Sequence, residues 1–459
     1  MKSGYMIAGF EILTTIIDAF LFSPNFKNNF SRIDLQNFFE NKFAGLLHCF
    51  GTNFSGRKNF NKFINKEKRT LEYCRNIGFY GNSNFVLDSG GYQSSIGVFD
   101  KRETNILYDL YYQFLIDNEN LYSQAFILDL PPGPGCGLFK SFKEVYELNS
   151  KSYIKASQLP KIIRDKIIYI QHFRTPKLWD IYMKILDEND LFDKFNFHAT
   201  GGIVTGSATD LIIPCIIYVI PLIPLLNRAK KIGRKFLNFH VLGGSGFRDI
   251  LFYELFKIHV LEIHRIKLEI TYDSSNIFKA FMIGRFINIV KDDSVFKTNI
   301  RSSNLNMRHK NSNMKIINFY REALNNFSDE NNFRRINLDT IYSQETGTFH
   351  EDVRLYSMLY ILNNYSKMES ILSRKATKIY QLYEAGEIAK FNNEIENLTR
   401  KLNSEKITKK QKVKSSCVAK SLDMLTNLDE KYCKYLIDKF LMRDEFNELK
   451  REKREIPRF

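Results

Sequence analysis

Three carboxylates sit where short apolar runs give way to polar or glycine-rich clusters. Phe85–Leu87 leads into Asp88-Ser-Gly-Gly, Ala125–Leu128 into Asp129-Leu-Pro-Pro-Gly, and Leu268–Tyr272 into Asp273-Ser-Ser. Between them Ile167–Ile170 ends at Gln171-His, Phe195–Phe197 precedes Thr200-Gly-Gly, and Phe236–Leu242 ends in Gly243-Gly-Ser-Gly. Carboxylates can move protons or attack carbon, and glycines let a backbone pass close to a ligand. The stretch FVLDSGGYQ, Phe85 to Gln93, combines these features. A strand delivers Asp88 and Ser89 to its end, Gly90 and Gly91 take angles other residues cannot, and Tyr92 offers a flat face for a base.

The elements that must position these groups follow from the same pattern. Helix-like stretches such as Glu103–Asn118, Thr175–Asp187 and Phe247–His259 lie between the apolar runs. Strands alternating with helices imply a parallel sheet. Six such units, with room for two more before residue 85, predict an α/β fold, a TIM-type (β/α)8 barrel over residues 1–300. In such a barrel every cluster above collects at the C-terminal face of the strands, where these folds keep their chemistry. Residues 301–314 are polar and read as a linker. From Glu351 to Glu448 the apolar spacing is helical, so residues 301–459 form a mostly α-helical C-terminal region.

The chain carries 67 Lys and Arg against 51 Asp and Glu, a formal charge of +16. Such an excess suits a polyanionic partner such as nucleic acid, although a Lys-rich proteome produces the same balance. Residues 301–459 hold 30 basic and 22 acidic side chains, so half the excess lies there and makes that region a possible nucleic-acid contact. The six cysteines, at 49, 74, 136, 215, 417 and 433, show no Cys-x₂-Cys pair and read as reduced thiols of a cytoplasmic protein. No metal site is expected. No signal peptide is expected at the N-terminus, which carries Lys2 without a clear leader pattern. Leu211 to Leu226, interrupted by Pro214, Pro221 and Pro224, falls short of the ~20 residues of a spanning helix and reads as buried core segments.

The run DSGGYQ resembles the signature of the queuine-type tRNA-guanine transglycosylases, and the likeness continues in family order over roughly residues 80–290. AFILDLPPG carries Asp129 where that family has an aspartate on the guanine edge. IIYIQHF carries Gln171 where the family has a base-reading glutamine, and HATGGIVTGS carries Gly201 and Gly202 at its backbone site for the base. HVLGGSG carries Leu242, followed by Gly243, where a hydrophobic side chain closes the base sandwich, and ITYDSS carries Asp273 at the place of the nucleophile. The resemblance implies base exchange without any cofactor. Asp273 would trap the sugar's anomeric carbon, as in retaining glycosidases, and Asp88 would pass a proton to the departing guanine. Asp129 would accept from the base's N–H edge, Gln171 and the Gly202–Ile203 backbone would meet its carbonyl side, and Tyr92 and Leu242 would sandwich the ring. Each of three residues also has a structural reading: Asp129 starting the Pro-Pro turn, Gln171 hydrogen bonding in the core, Asp273 capping a helix.

Three departures bear on substrate. The family's Cys-x-Cys-x₂-Cys plus His zinc site is missing, since residues 274–416 contain no cysteine. Asp273 is followed by Ser-Ser-Asn instead of Pro-Thr-Arg, and the segment before residue 80 is short and diverged. These changes resemble the DpdA branch of the family, found in phages and bacterial genomic islands, whose members place 7-deazaguanine derivatives into DNA. The expected partners are therefore DNA and a free 7-deazaguanine base such as 7-cyano-7-deazaguanine, with no membrane, in the cytoplasm of the cell or phage host. Two alternatives stay open: a tRNA-guanine transglycosylase without zinc, and a non-catalytic nucleic-acid-binding barrel subunit. His48, His172, His198 and His240 lie near strand ends and receive no role.

Overall fold

The structure is a computed structural model. It describes residues 4–8, 37–39, 42–50, 60–77, 85–90, 101–130, 142–172, 176–188, 191–194, 197–201, 214–273, 289–291, 294–296, 331, 351–402 and 416–440. The protein is a mixed α/β structure built on a curled parallel sheet. Its strands are β1 (Gly4–Ala8), β2 (Gly45–Cys49), β3 (Phe85–Asp88), β4 (Gln124–Phe126), β5 (Ile167–Gln171), β6 (Phe197–Thr200), β7 (Phe236–Val241) and β8 (Lys267–Asp273). Strands β2 to β8 pair in sequence order, each parallel to the next. The short β1 is in register with both outer strands, Met6 opposite Gly45 on one side and opposite Asp273 on the other. A small antiparallel pair, β9 (Ile289–Lys291) and β10 (Ser294–Phe296), follows.

The helices between strands are α1 (Phe60–Ile77), α2 (Lys101–Asp117), α3 (Phe142–Ser157), the short α4 (Lys161–Arg164), α5 (Pro176–Asp187), the short α6 (Leu191–Lys194), α7 (Pro214–Lys231) and α8 (Phe247–His264). The segments directly after β1 and β8 lie outside the described residues. Strand β5 is buried along its whole length, as expected of a parallel strand covered on both faces. Alternation along the strands then separates two sides. Tyr169 of β5 stacks on Tyr182 of α5, and Tyr272 of β8 donates to Glu369, so these residues face the helices. Their neighbours Ile170 and Thr271 face the inside of the curl, with Ala199 and His240 at matching register.

Beyond shifts of one or two residues at other element ends, such as β4 at Gln124–Phe126, two segments differ from expectation. The run Phe195–Phe197 becomes a strand at Phe197–Thr200, because its ladder is fixed by pairing with Ile168–Gln171 and Asn238–Val241. The prolines of the apolar run do not break it: from Pro214 onward it is one continuous helix with Pro221 and Pro224 inside. Pro214 opens the helix where no helical N–H is needed. Each interior proline costs about 3 kcal/mol. Burial of Ile217, Val219, Ile220, Leu222, Ile223, Leu225 and Leu226 offsets that cost. Among the described residues no helix is long and apolar enough to cross a membrane.

The C-terminal region is helical where described: α9 (Glu351–Glu384), α10 (Ile388–Leu402), α11 (Ser416–Asn427) and α12 (Glu430–Phe440). Apolar residues three or four apart give each a buried stripe, Phe391, Ile395 and Leu398 on α10 and Val418, Leu422 and Leu425 on α11. These stripes join the same apolar core as the sheet. Helix α9 packs along α8, α11 against α7 and α8, and α12 against α7. Polar bonds stitch the seam. His259 reaches Tyr380 Oη at 3.1 Å and Thr426 Oγ1 at 2.9 Å, and Asn227 donates to the Leu428 carbonyl at 2.9 Å. Burial holds the His259 imidazole down to about 4, so it bridges the two helices as a neutral ring.

Candidate active site

Strand β3 ends at Asp88, whose register partner is Cys49 at the end of β2. Both point to the inside, since His48 one residue earlier faces outward to Glu67 of α1, with Nε2 and Oε2 2.7 Å apart. Gly90 adopts a φ of +82°, which favours glycine, and this turn brings its backbone back to hydrogen bond the Asp88 carboxylate. Burial is the main cause that raises the Asp88 carboxyl to about 7. The negative charges of Asp129 and Asp273 add to it, while bonds from the Cys49 thiol and the Gly90 backbone pull the other way. Those contributions tie three acids from three separate strand ends to one small region.

Asp129 is buried just past the β4 ladder. Its Oδ2 lies 2.5 Å from His172 Nε2, and Ser89 Oγ donates to its Oδ1 at 3.4 Å. His172 in turn packs on Gly201, where an added Cβ would stand 2.8 Å from the imidazole Cε1 and 3.3 Å from Ile170. Only a glycine fits there without displacing the ring.

Asp273 ends β8. Its Oδ1 accepts the Gly243 backbone N–H at 2.9 Å and lies 3.1 Å from His240 Nε2. Gly243 has a φ of +77°, and this left-handed turn directs its N–H at the carboxylate. The other nitrogen of His240, Nδ1, lies 2.9 Å from Thr271 Oγ1. His240 is fully buried and its ring meets Phe126 edge to face at 5.0 Å. Leu242 follows, partly buried against the core, its N–H bonded to the Thr200 carbonyl at 3.0 Å.

The structure therefore gathers Asp88, Ser89, Gly90, Asp129, Gly201, Gly243 and Asp273 at the C-terminal ends of the strands. It does not bring Gln171 to them. Gln171 shares the outward side with Tyr169, and its Nε2 donates to the Pro221 carbonyl of α7 at 3.0 Å. Its Oε1 is buried without a partner among the described residues. The inward place beside Asp129 is taken by the next residue, His172. Gly91, Tyr92, Gly202 and Ile203 lie outside the described residues.

His172 and His240 are the groups that motif reading passed over. A signal existed: His240 shares the alternation of Leu242, and its register partner Thr271 lies two residues before Asp273. The helix α9 supports this end of the sheet from outside. Tyr365 Oη donates to the Ser245 carbonyl at 2.5 Å, and Glu369 accepts from Tyr272, the residue before Asp273. Among the described residues no three His, Cys, Asp or Glu side chains are grouped to hold a metal ion.

Fold and site together define an α/β protein with three carboxylates, two of them paired to histidines, at one end of a curled parallel sheet. Set against protein-family models, curated proteins and solved structures, the chain matches none of them.

Proposed function

We propose that the protein is a base-exchange transglycosylase on a TIM-type (β/α)8 barrel, replacing guanine in DNA by a 7-deazaguanine derivative such as 7-cyano-7-deazaguanine. The observation that carries the reading is that three strand-end carboxylates share one region, where burial, with the charges of Asp129 and Asp273 adding to it, lets Asp88 hold its proton to about pH 7 while the Gly243 N–H fixes Asp273. A carboxyl that keeps its proton near neutral pH suits the general acid, and a carboxylate fixed by hydrogen bonds suits the nucleophile.

In the first step an Asp273 oxygen bonds to the anomeric carbon of the target nucleotide. The C–N bond to guanine breaks, its electron pair leaves with the base, and Asp88 gives that base its proton. In the second step the incoming base returns a proton to Asp88, its ring nitrogen bonds to the same carbon, and the Asp273 carboxylate departs. Two displacements retain configuration. Asp129, oriented by His172, meets the N–H edge of the base. Gln171 does not take part, because its amide is engaged on α7.

The DNA substrate rests on the resemblance to the DpdA branch and on the basic C-terminal third of the chain. A target guanine must leave the stack to reach the pocket, which costs a few kcal/mol. Phosphate contacts from Lys and Arg side chains offset part of that cost. In a phage the product would protect DNA from restriction enzymes. The deciding experiment digests DNA and tRNA from cells with and without the gene and analyses the nucleosides by mass spectrometry. A deazaguanosine in DNA that vanishes with Asp88→Ala and with Asp273→Ala supports the reading. The same nucleoside in tRNA alone would move the activity to tRNA.

A further inference from the structure

We infer that His240, locked by Thr271, is a positioning residue that holds one oxygen of Asp273 and eases that carboxylate's departure in the second half of the exchange. The inference rests on the transglycosylase reading and deepens it.

The geometry is asymmetric about the carboxylate. Both donors fall on the same atom: Gly243 N–H at 2.9 Å and His240 Nε2 at 3.1 Å from Asp273 Oδ1. An ionised carboxylate only accepts, so the proton between His240 and Asp273 sits on Nε2. On the far side of the ring Nδ1 lies 2.9 Å from the Thr271 hydroxyl, which fixes the ring's orientation. The imidazole is fully buried and its ring is pinned against Phe126, so it has no room to rotate out of this arrangement. With Oδ1 held twice, Oδ2 is the oxygen oriented for attack.

The consequence differs between the two steps. When Oδ2 bonds to the sugar carbon, Asp273 loses its charge and Oδ1 becomes the carbonyl oxygen of an ester. In the second step the C–O bond breaks, its electron pair returns to Asp273, and negative charge reappears on the carboxylate. Donors aimed at Oδ1 stabilise that returning charge, so they accelerate the step in which Asp273 leaves. Removing the His240 donor slows release of the nucleotide more than its capture, and the covalent intermediate accumulates. A residue that only kept the site folded would, on removal, lower capture and release together.

The test uses the full chain, labelled guanine as the exchanging base, and end-labelled duplex DNA and tRNA as acceptors. Covalent enzyme–nucleic acid adduct is read on denaturing gels beside steady-state exchange. His240→Leu is expected to lower kcat at least 10-fold, to lower KM for the nucleic acid, and to raise the fraction of enzyme trapped as adduct. His240→Gln, which can place an amide N–H near the same oxygen, is expected to return kcat to within about threefold of the wild type. Thr271→Val is expected to shift kcat and adduct in the same direction, less far, and it decides the matter if His240→Leu does not fold. Unchanged kcat and adduct in these variants overturn the inference alone. So does an adduct that falls in step with kcat. Failure of the wild-type protein to exchange guanine into either acceptor overturns the transglycosylase reading and this inference with it.

Discussion

Asp129 and His172 meet at 2.5 Å, although they are 43 positions apart and come from neighbouring strand ends. The imidazole is 1% exposed and lies against the bare Cα of Gly201. This packing, independent of any activity, makes Gly201→Ala destabilising by about 1–3 kcal/mol through overpacking. In a His172→Ala background the same change is expected to cost well under half as much. Urea unfolding of the four proteins of the cycle measures the coupling, and additive losses would show that the ring and the glycine do not compete for space.

Asp88 supplies a pH signature in stability. An ordinary aspartate titrates near 3.8, whereas Asp88 is raised to about 7, chiefly by burial. Between those values the folded protein binds a proton that the unfolded chain has lost, so the wild type loses stability as pH rises from about 4 to about 7. Asp88→Asn removes that loss. It is expected to raise the thermal midpoint at pH 8, by the equivalent of up to about 4 kcal/mol, and to leave it unchanged near pH 4. Equal midpoint shifts at the two pH values would show that Asp88 titrates normally.

The same carboxyl predicts a pH–rate profile. The proposed mechanism enters its first step with Asp88 protonated, so kcat/KM for guanine exchange is expected to fall as pH rises through about 7. Asp88→Ala should lower exchange about 10²–10⁴-fold and remove this limb of the profile. A wild-type rate that stays flat from pH 6 to pH 9 would assign the proton transfer elsewhere.

The C-terminal helices predict a dependence of the sheet on its appendage. Leu359, Leu362, Met368, Leu372 and Ile379 of α9 are buried in the core that includes α8 and β8. A chain ending at residue 300 is expected to aggregate, because it exposes the α7 and α8 surfaces those helices cover. A milder probe is Tyr365→Phe, which removes the bond to the Ser245 carbonyl and should cost about 1 kcal/mol in chemical denaturation. A soluble, cooperatively unfolding 1–300 fragment would make the parallel sheet and the helical region separable.

The sequence alone determined the alternation of strand and helix, the helical character of residues 351–402 and 416–440, and the ends at which Asp88, Asp129 and Asp273 stand. Those features are local: apolar runs of strand length and the polar turns that close them are set by residues adjacent in the chain. Three things were decided only by tertiary structure. Pro221 and Pro224 stay inside a helix because burial on neighbouring elements outweighs their local cost. Gln171 turns outward and His172 inward because pairing with β6 fixes which side of β5 each residue faces. His240 reaches Asp273 because the β7–β8 register sets it beside Thr271. Strand register and the choice of face depend on partners far away in the sequence, and a one-residue change in either would have exchanged the two sides.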